Sequence, residues 1–164
     1  YTALMNAGET QNDPEIIYNL VRRGADPNLT DNDLRTALMY AVQFQKNAGM
    51  ISALLEAGSK VNAQSFDGYT ALMIAAETNE TTDFIEILLN AGAKINIRDE
   101  YGRTALTYAA EYQENGEIIK FLLQHGANPE LIDKNGMNAA AFLENNPVLK
   151  DSGLLSGKQQ LENQ

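Results

Sequence analysis

Cysteine and tryptophan are absent from the 164-residue chain, and histidine occurs once, as His125. Without thiols there is no disulfide, no zinc–cysteine centre and no thiol nucleophile. No stretch approaches the ~18 apolar residues of a membrane span, and none joins a basic start to an apolar run as a leader peptide does. Cations are scarce too: 12 Lys and Arg stand against 22 Asp and Glu, a formal net charge of −10. Nucleic-acid binding depends on neutralising phosphates with Lys and Arg, so nucleic acid and anionic membrane surfaces are not expected partners. A neutral or basic protein or peptide is the compatible one. The chain opens on Tyr1 rather than Met, so a longer parent protein is expected, and with it the loss of any leader. The sequence does not identify the compartment; the cytoplasm is slightly favoured, with the periplasm or secretion the alternative if a leader was removed.

What is present fits one soluble domain spanning residues 1–164. Hydrophobic residues make up 44% and charged residues 21%, the balance of a globular chain long enough for a sizeable core. The pentad Tyr-Thr-Ala-Leu-Met opens the chain and returns at 69–73. Its Thr recurs at Thr2, Thr36, Thr70 and Thr104, with Asn138 next in phase, and every step is 34 residues. A second marker keeps the same step, from Gly24 through Gly58 and Gly92 to Gly126. Two markers in one phase establish a repeat.

Each unit reads alike. The Thr is expected to cap a short helix, and alanine pairs such as Ala75/Ala76 and Ala109/Ala110 allow close helix approach. A polar connector leads to a second helix with a dense apolar face, as in Phe84, Ile85, Ile87, Leu88 and Leu89, or Ile118, Ile119, Phe121, Leu122 and Leu123. Gly24 and its equivalents stand where a left-handed helix C-cap is expected. A short extended segment (Val61, Ile95) and a Gly/Asp turn complete the unit.

These motifs resemble the ankyrin repeat family, whose units begin T-P-L-H-x-A and close on G-A-D-x-N. The resemblance covers nearly the whole chain and implies an all-α solenoid of helix-turn-helix units joined by β-hairpin-like turns. The units fall at about 1–33, 34–67, 68–101 and 102–135, with a capping repeat at 136–155 and a frayed polar tail at 156–164. Ala replaces the family proline at Ala3, Ala37, Ala71 and Ala105, and Met5, Met39, Met73 and Thr107 replace the family histidine. Gly8 stands where other units have a second helical Ala, and the extra residue of the 34-residue period is expected in the connector. The Asn, Lys and Tyr richness and the TALM variant look bacterial.

Chemistry is hard to find. His125 is expected to meet helix C-terminal carbonyls, since a lone His makes neither a triad nor a zinc site. The "TDNDLR" stretch at 30–35 lacks the central Gly and final Glu of a calcium loop and reads as a turn. No glycine-rich phosphate loop occurs, and Gly8-Glu9-Thr10 and Ser156-Gly157-Lys158 are too short to be one. The carboxylate pairs Glu77/Glu80 and Asp99/Glu100 are expected to be solvated and so unfit for general acid work. No metal, cofactor or enzymatic activity is expected.

The aromatics are more telling. Phe84, Phe121 and Phe142 fall in core-like helix slots, and Tyr18 lies on a second helix. Tyr1, Phe66, Tyr69 and Tyr101 fall at turn tips; Tyr40, Phe44, Tyr108 and Tyr112 fall on the side of the first helix expected to be exposed. Tyr40/Phe44 and Tyr108/Tyr112 are i, i+4 pairs and share a face. Half-buried packing between units is the competing reading for Tyr40, Ile74 and Tyr108. It is not expected of Phe66, Tyr69 and Tyr101, because tips offer little to pack against.

In ankyrin-like folds the tips and first helices line the concave surface that partners occupy. The resemblance therefore implies a monomeric, non-catalytic module binding a protein or peptide there. Its site would comprise Tyr40, Phe44, Phe66, Tyr69, Tyr101, Tyr108 and Tyr112, with Arg35 and Arg103 as polar anchors and Asp33, Asp67 and Glu100 beside them; Glu77 and Glu111 are further acidic neighbours of the strip. The competing function is a structural spacer, or the repeat arm of a larger and enzymatic protein.

Overall fold

The computed structural model describes residues 1–79 and 81–155; Glu80, the tail 156–164 and with it Ser156-Gly157-Lys158 lie outside the described residues. Its regular elements are helices: α1 (Ala3–Thr10), α2 (Glu15–Arg22), α3 (Ala37–Phe44), α4 (Ala48–Glu56), α5 (Ala71–Thr78), α6 (Asp83–Asn90), α7 (Ala105–Tyr112), α8 (Glu117–Gln124) and α9 (Ala139–Asn145). None exceeds nine residues, well short of the ~12–15 at which an isolated helix becomes even marginal in water. Stacking, not intrinsic propensity, therefore holds them. The first helices α1, α3, α5, α7 and α9 form one layer, each packed on the next, and α2, α4 and α6 form a second layer behind it. This all-α solenoid is the architecture the repeat implied.

Local chemistry starts and stops each helix on the 34-residue beat. The hydroxyls of Thr2, Thr36, Thr70 and Thr104 accept from the backbone N–H three residues on, and the Asn138 side chain does so for α9. Each such cap contributes about 1 kcal/mol. At the far end of the second helices, Gly24, Gly58, Gly92 and Gly126 adopt φ near +90°. There the N–H groups of Ala25, Ser59, Ala93 and Ala127 donate back to Leu20, Leu54, Leu88 and Leu122 at 2.9–3.0 Å, closing the helix in a Schellman arrangement. Between the layers lie Leu4, Leu38, Leu72 and Leu106 from the first helices and Ile17, Ile51, Ile85 and Ile119 from the second, all buried. Ala75, Ala76, Ala109 and Ala110 are buried where the first helices meet.

Two ladders of hydrogen bonds tie units together. In the first, an asparagine side chain clamps the next unit's glycine turn. The Asn28 amide donates to Gly58 O at 3.0 Å and accepts from Lys60 N–H at 2.8 Å. Asn62 repeats this on Gly92 and Lys94, and Asn96 on Gly126 and Asn128. In the second ladder the turn tips bond directly through backbone: Phe66 N–H to Asp33 O, Glu100 N–H to Asp67 O, and Lys134 N–H to Tyr101 O, at 2.8–2.9 Å.

Each tip is a hairpin-like turn, such as Ser65–Gly68 closed by Gly68 N–H to Ser65 O at 2.9 Å. No strand forms among the described residues. Val61 and Ile95, expected in extended segments, instead sit in tight turns closed by Ala63 N–H to Lys60 O and Ile97 N–H to Lys94 O. An asparagine clamp from the preceding unit accompanies these two turns, but the turn is local, since the first unit forms it unclamped with Leu29 N–H to Asp26 O. After α9 the chain folds back onto the start of α8, where Leu154 lies so close to Gly116 that a Cβ there would sit 2.6 Å from it.

Candidate functional site

The face made by turn tips and first helices is built from three rows of side chains, one member per unit. The first row, just before each helix cap, alternates Tyr1, Arg35, Tyr69 and Arg103. Each reaches a residue eight positions on, at the end of its own first helix. Tyr1 O–H donates to Glu9, Arg35 to Gln43, Tyr69 to Glu77 at 2.7 Å, and Arg103 to Glu111 at 2.9 Å. The second row, one turn into the helix, runs Tyr40, Ile74, Tyr108 and Phe142; the third, one turn further on, includes Phe44, Thr78 and Tyr112.

These rows interlock in alternate units. The Tyr40 ring meets Tyr1 edge-on at 5.3 Å, stacks with Phe44 at 6.2 Å and lies under the Arg35 guanidinium at 4.5 Å. Two units on, the Tyr108 ring meets Tyr69 at 4.7 Å, stacks with Tyr112 at 6.3 Å and lies under Arg103 at 5.7 Å. Edge-to-face and stacked pairs each add about 0.5–1.5 kcal/mol beyond burial. Below each cluster a tip aspartate receives the phenol. Tyr40 O–H donates to Asp31 at 2.7 Å and Tyr108 O–H to Asp99 at 2.6 Å. Asp99 also accepts from the N–H groups of Tyr101 and Arg103, and Asp31 from those of Asp33 and Arg35.

Several expectations change here. Tyr108 is buried at 4% exposure and Ile74 with it, while Tyr40 is half-buried, so these three pack between units. Tyr69 was expected to be free at a tip; it is half-buried against Tyr108, because the following unit's first helix supplies the surface that its own tip lacks. Removing Tyr69 would thus disturb packing as well as any contact to a partner. Asp99, expected to be solvated, is only 7% exposed, since turn amides and a phenol replace its water. Arg103 is half-buried and stacks over Phe142 at 4.7 Å, with Asp133 3.9 Å from its Nε.

The outward-facing aromatics are Phe66 at 67% exposure, Tyr1 at 62%, Tyr101 at 55%, Tyr112 at 50% and Phe44 at 49%. Asp33, Asp67 and Glu100 are exposed beside them. His125 Nδ1 lies 2.8 Å from Phe121 O and its ring stacks on Phe121 at 4.1 Å, the helix-end role expected of it. The 30–35 stretch is a turn organised by Asp31, with Leu34 in the left-handed region at φ 58°. Among the described residues no cluster of His, Asp and Glu is arranged to hold a metal ion, and no helix is long and apolar enough to cross a membrane.

The phenols of the face shift accordingly. Burial, then the bond to Glu77, pushes the Tyr69 phenol far above its usual value of 10.0; burial and the bond to Asp99 do the same to Tyr108. The Glu9 carboxylate pushes Tyr1 up to about 12. A phenol whose folded-state value is raised stabilises the fold fully below pH 10, and that contribution drains as pH rises beyond it. Above pH 10 the protein is therefore expected to lose helical circular dichroism cooperatively, with Tyr69 and Tyr108 ionising in the same step. Tyrosinate absorbance that rises smoothly around pH 10 while the helix signal stays intact would contradict this.

Sequence comparison is consistent with this geometry. A family model described as ankyrin repeats (3 copies) matches residues 4–99 and again 46–133. No curated protein matches the chain.

Proposed function

Because the chain belongs to the ankyrin repeat family, whose members serve generally as protein–protein interaction modules, we propose that it is a non-catalytic binding module. Its partner is a neutral or basic protein or peptide, held on the tip and first-helix face of a monomer. The units run 1–33, 34–67, 68–101 and 102–135, and residues 136–155 cap the stack. The carrying observation is the set of exposed aromatics, Phe44, Phe66, Tyr101 and Tyr112, which stand on a rigid scaffold among Asp33, Asp67 and Glu100. Rigid, half-exposed aromatic rings bury large area at low entropic cost and dominate interface energetics. Arg35, Tyr40, Tyr69, Arg103 and Tyr108 serve the site from beneath, by holding these rings and the tips in place.

The test uses residues that project outward. Phe66→Ala, Tyr101→Ala and Tyr112→Ala, combined, are expected to weaken capture of a partner by at least about a hundredfold, the effect of two or three anchors. The melting temperature should stay within a few degrees. A control pair on other surfaces, Leu29→Ala and Val148→Ala, should leave capture unchanged. Loss of capture by the control pair with retention by the triple variant would move the site off this face. Binding should also weaken as salt is raised, since a carboxylate-rich rim acts through screened charge.

A further inference from the structure

Alternate units carry the same cluster, and the unit between them does not. In the second and fourth units a ring fills the middle slot (Tyr40, Tyr108) and an arginine lies over it (Arg35, Arg103), while an aspartate just ahead of the unit lies below it (Asp31, Asp99). In the third unit the middle slot holds Ile74 and the aspartate position holds Ser65. The ring is missing, and a hollow of about 240 Å³ opens there, lined by Arg35, Met39, Gln43, Ser65, Asp67, Tyr69, Ile74 and Glu77. Its floor is apolar, from Met39 and Ile74. One wall is Arg35 with its Gln43 bond; the other is Tyr69 with its Glu77 bond. Both walls are pinned, so the hollow is pre-formed. It is smaller than the ~300–1,000 Å³ of small-molecule sites, and it matches the scale of one side chain at an interface.

We propose that this hollow receives one tyrosine or phenylalanine side chain of the partner peptide, flanked in that peptide by basic residues. The proposal rests on the binding-module reading and specifies its anchor. The inserted ring occupies the position that Tyr40 and Tyr108 fill in the flanking units, with a cation on one side and a tyrosine ring on the other. Those are the two contacts that hold Tyr40 between Arg35 and Tyr1, and Tyr108 between Arg103 and Tyr69. An arginine or lysine of the partner gains less in the hollow than a ring does, because the floor is apolar, Arg35 forms one wall and the Glu77 carboxylate is already engaged by the Tyr69 phenol. Around it the charge is negative: Asp67, itself a lining residue, is exposed, and so are Asp33 and Glu100 along the tips. Basic residues on either side of the aromatic therefore meet carboxylates.

The probes are blocked five-residue peptides, lysine–lysine–X–lysine–lysine, with X tyrosine, phenylalanine, alanine or lysine. Affinity is read from chemical-shift titration of the full chain, following the Ile74 methyls. The tyrosine and phenylalanine peptides are expected to bind about tenfold tighter than the alanine peptide, the weight of one aromatic contact. Ile74→Tyr fills the hollow from within and should reduce that preference to less than about twofold while the lysine contribution remains. Arg35→Gln, which keeps the length and removes the cation, should reduce it in part, and it provides a second variant should Ile74→Tyr fold poorly. Equal binding of the tyrosine and alanine peptides, tighter binding of the lysine peptide, no shift at Ile74, or full preference in Ile74→Tyr each overturns the hollow. If the peptides still shift Asp33, Asp67 and Glu100 amides without aromatic preference, only the hollow fails. If the shifts cluster instead on Gly58–Ala63 or on the α8 surface, the binding-face reading fails with it.

Discussion

Gly68→Ala is expected to cost about 3 kcal/mol, whereas Gly92→Ala, at an almost equal φ, should cost only about 1–2 kcal/mol. Both glycines are left-handed, at φ +80° and +88°, and a Cβ in that region costs roughly 1–2 kcal/mol for any L-residue. The difference lies in their surroundings. At Gly92 nothing stands within 4 Å of where the Cβ would be. At Gly68 the Cβ would fall 2.8 Å from Asp99 Cα and 2.8 Å from Glu100 N, both backbone atoms of the next tip. Backbone cannot swing aside like a side-chain end, so the tips must part and strain the Glu100 N–H to Asp67 O bond at 2.9 Å. Forced overpacking adds about 1–3 kcal/mol. In thermal unfolding about 3 kcal/mol corresponds to roughly 6–12 °C for a chain this size. Equal losses from the two substitutions would mean that tip contact contributes nothing and φ alone matters. The fourth tip is consistent with the same constraint at Gly102, where a Cβ would lie 3.2 Å from Asp133 Cα. The equivalent slot at the second tip holds Leu34, which keeps the Phe66 N–H to Asp33 O bond at 2.8 Å by taking a smaller φ of 58° that leaves its side chain exposed.

This contrast also marks how much could be read from sequence. The helix caps at Thr2, Thr36, Thr70 and Thr104 and the glycine C-caps at Gly24 through Gly126 are local devices. Each satisfies backbone groups within a few residues, so the repeat of a few letters identified them. Family, layering and the placement of Phe44, Phe66, Tyr101 and Tyr112 on the outside followed. What was misjudged depends on the neighbouring unit. Tyr69 looks like a free tip until the ring of Tyr108, in the next helix, comes to lie 4.7 Å away. Asp99 looks solvated until the phenol nine residues on donates into it. A sequence signal for that bond exists. The slot pairs are Asp31 with Tyr40 and Asp99 with Tyr108, but Ser65 with Ile74, so the acid and the phenol travel together. The hollow is the visible consequence where they are both missing. Val61 and Ile95 failed for a different reason: a β-branched residue reads as extended, yet each unit closes a tight turn there, the unclamped first unit included.

Gln113→Leu is the other large effect, again about 3 kcal/mol, and its cause is polar rather than steric. Gln113 follows α7 and is buried at 6% exposure. Its Nε2 group donates to three carbonyls at the end of α5: Ala76 O at 2.8 Å, Glu77 O at 3.1 Å and Asn79 O at 3.1 Å. Those carbonyls are among the last of their helix and have no intrahelical donor of their own. Leucine keeps the volume and removes the donor, which strands buried acceptors at about 1–3 kcal/mol each if no water enters. Asn146 plays the same part on Ala110 O, Glu111 O and Gln113 O one unit later, so the stack is stapled carbonyl-end to carbonyl-end. Gln113→Glu discriminates between lost volume and lost donation. It sets carboxylate oxygens against carbonyl oxygens, so the charged form is doubly disfavoured and the folded-state pKa must rise above the ordinary ~4.3. For a raised carboxyl the sign is opposite to that of a paired one. The penalty is absent below the unfolded value, where both states are protonated, and grows as pH climbs through and past it. Gln113→Glu should therefore be less stable than Gln113→Leu at neutral pH and regain melting temperature on acidification relative to Gln113→Leu. A flat pH response, or a Leu variant within about 0.5 kcal/mol of the parent in urea unfolding, would show that those carbonyls find water instead and that the staple is not what holds α5 to α7.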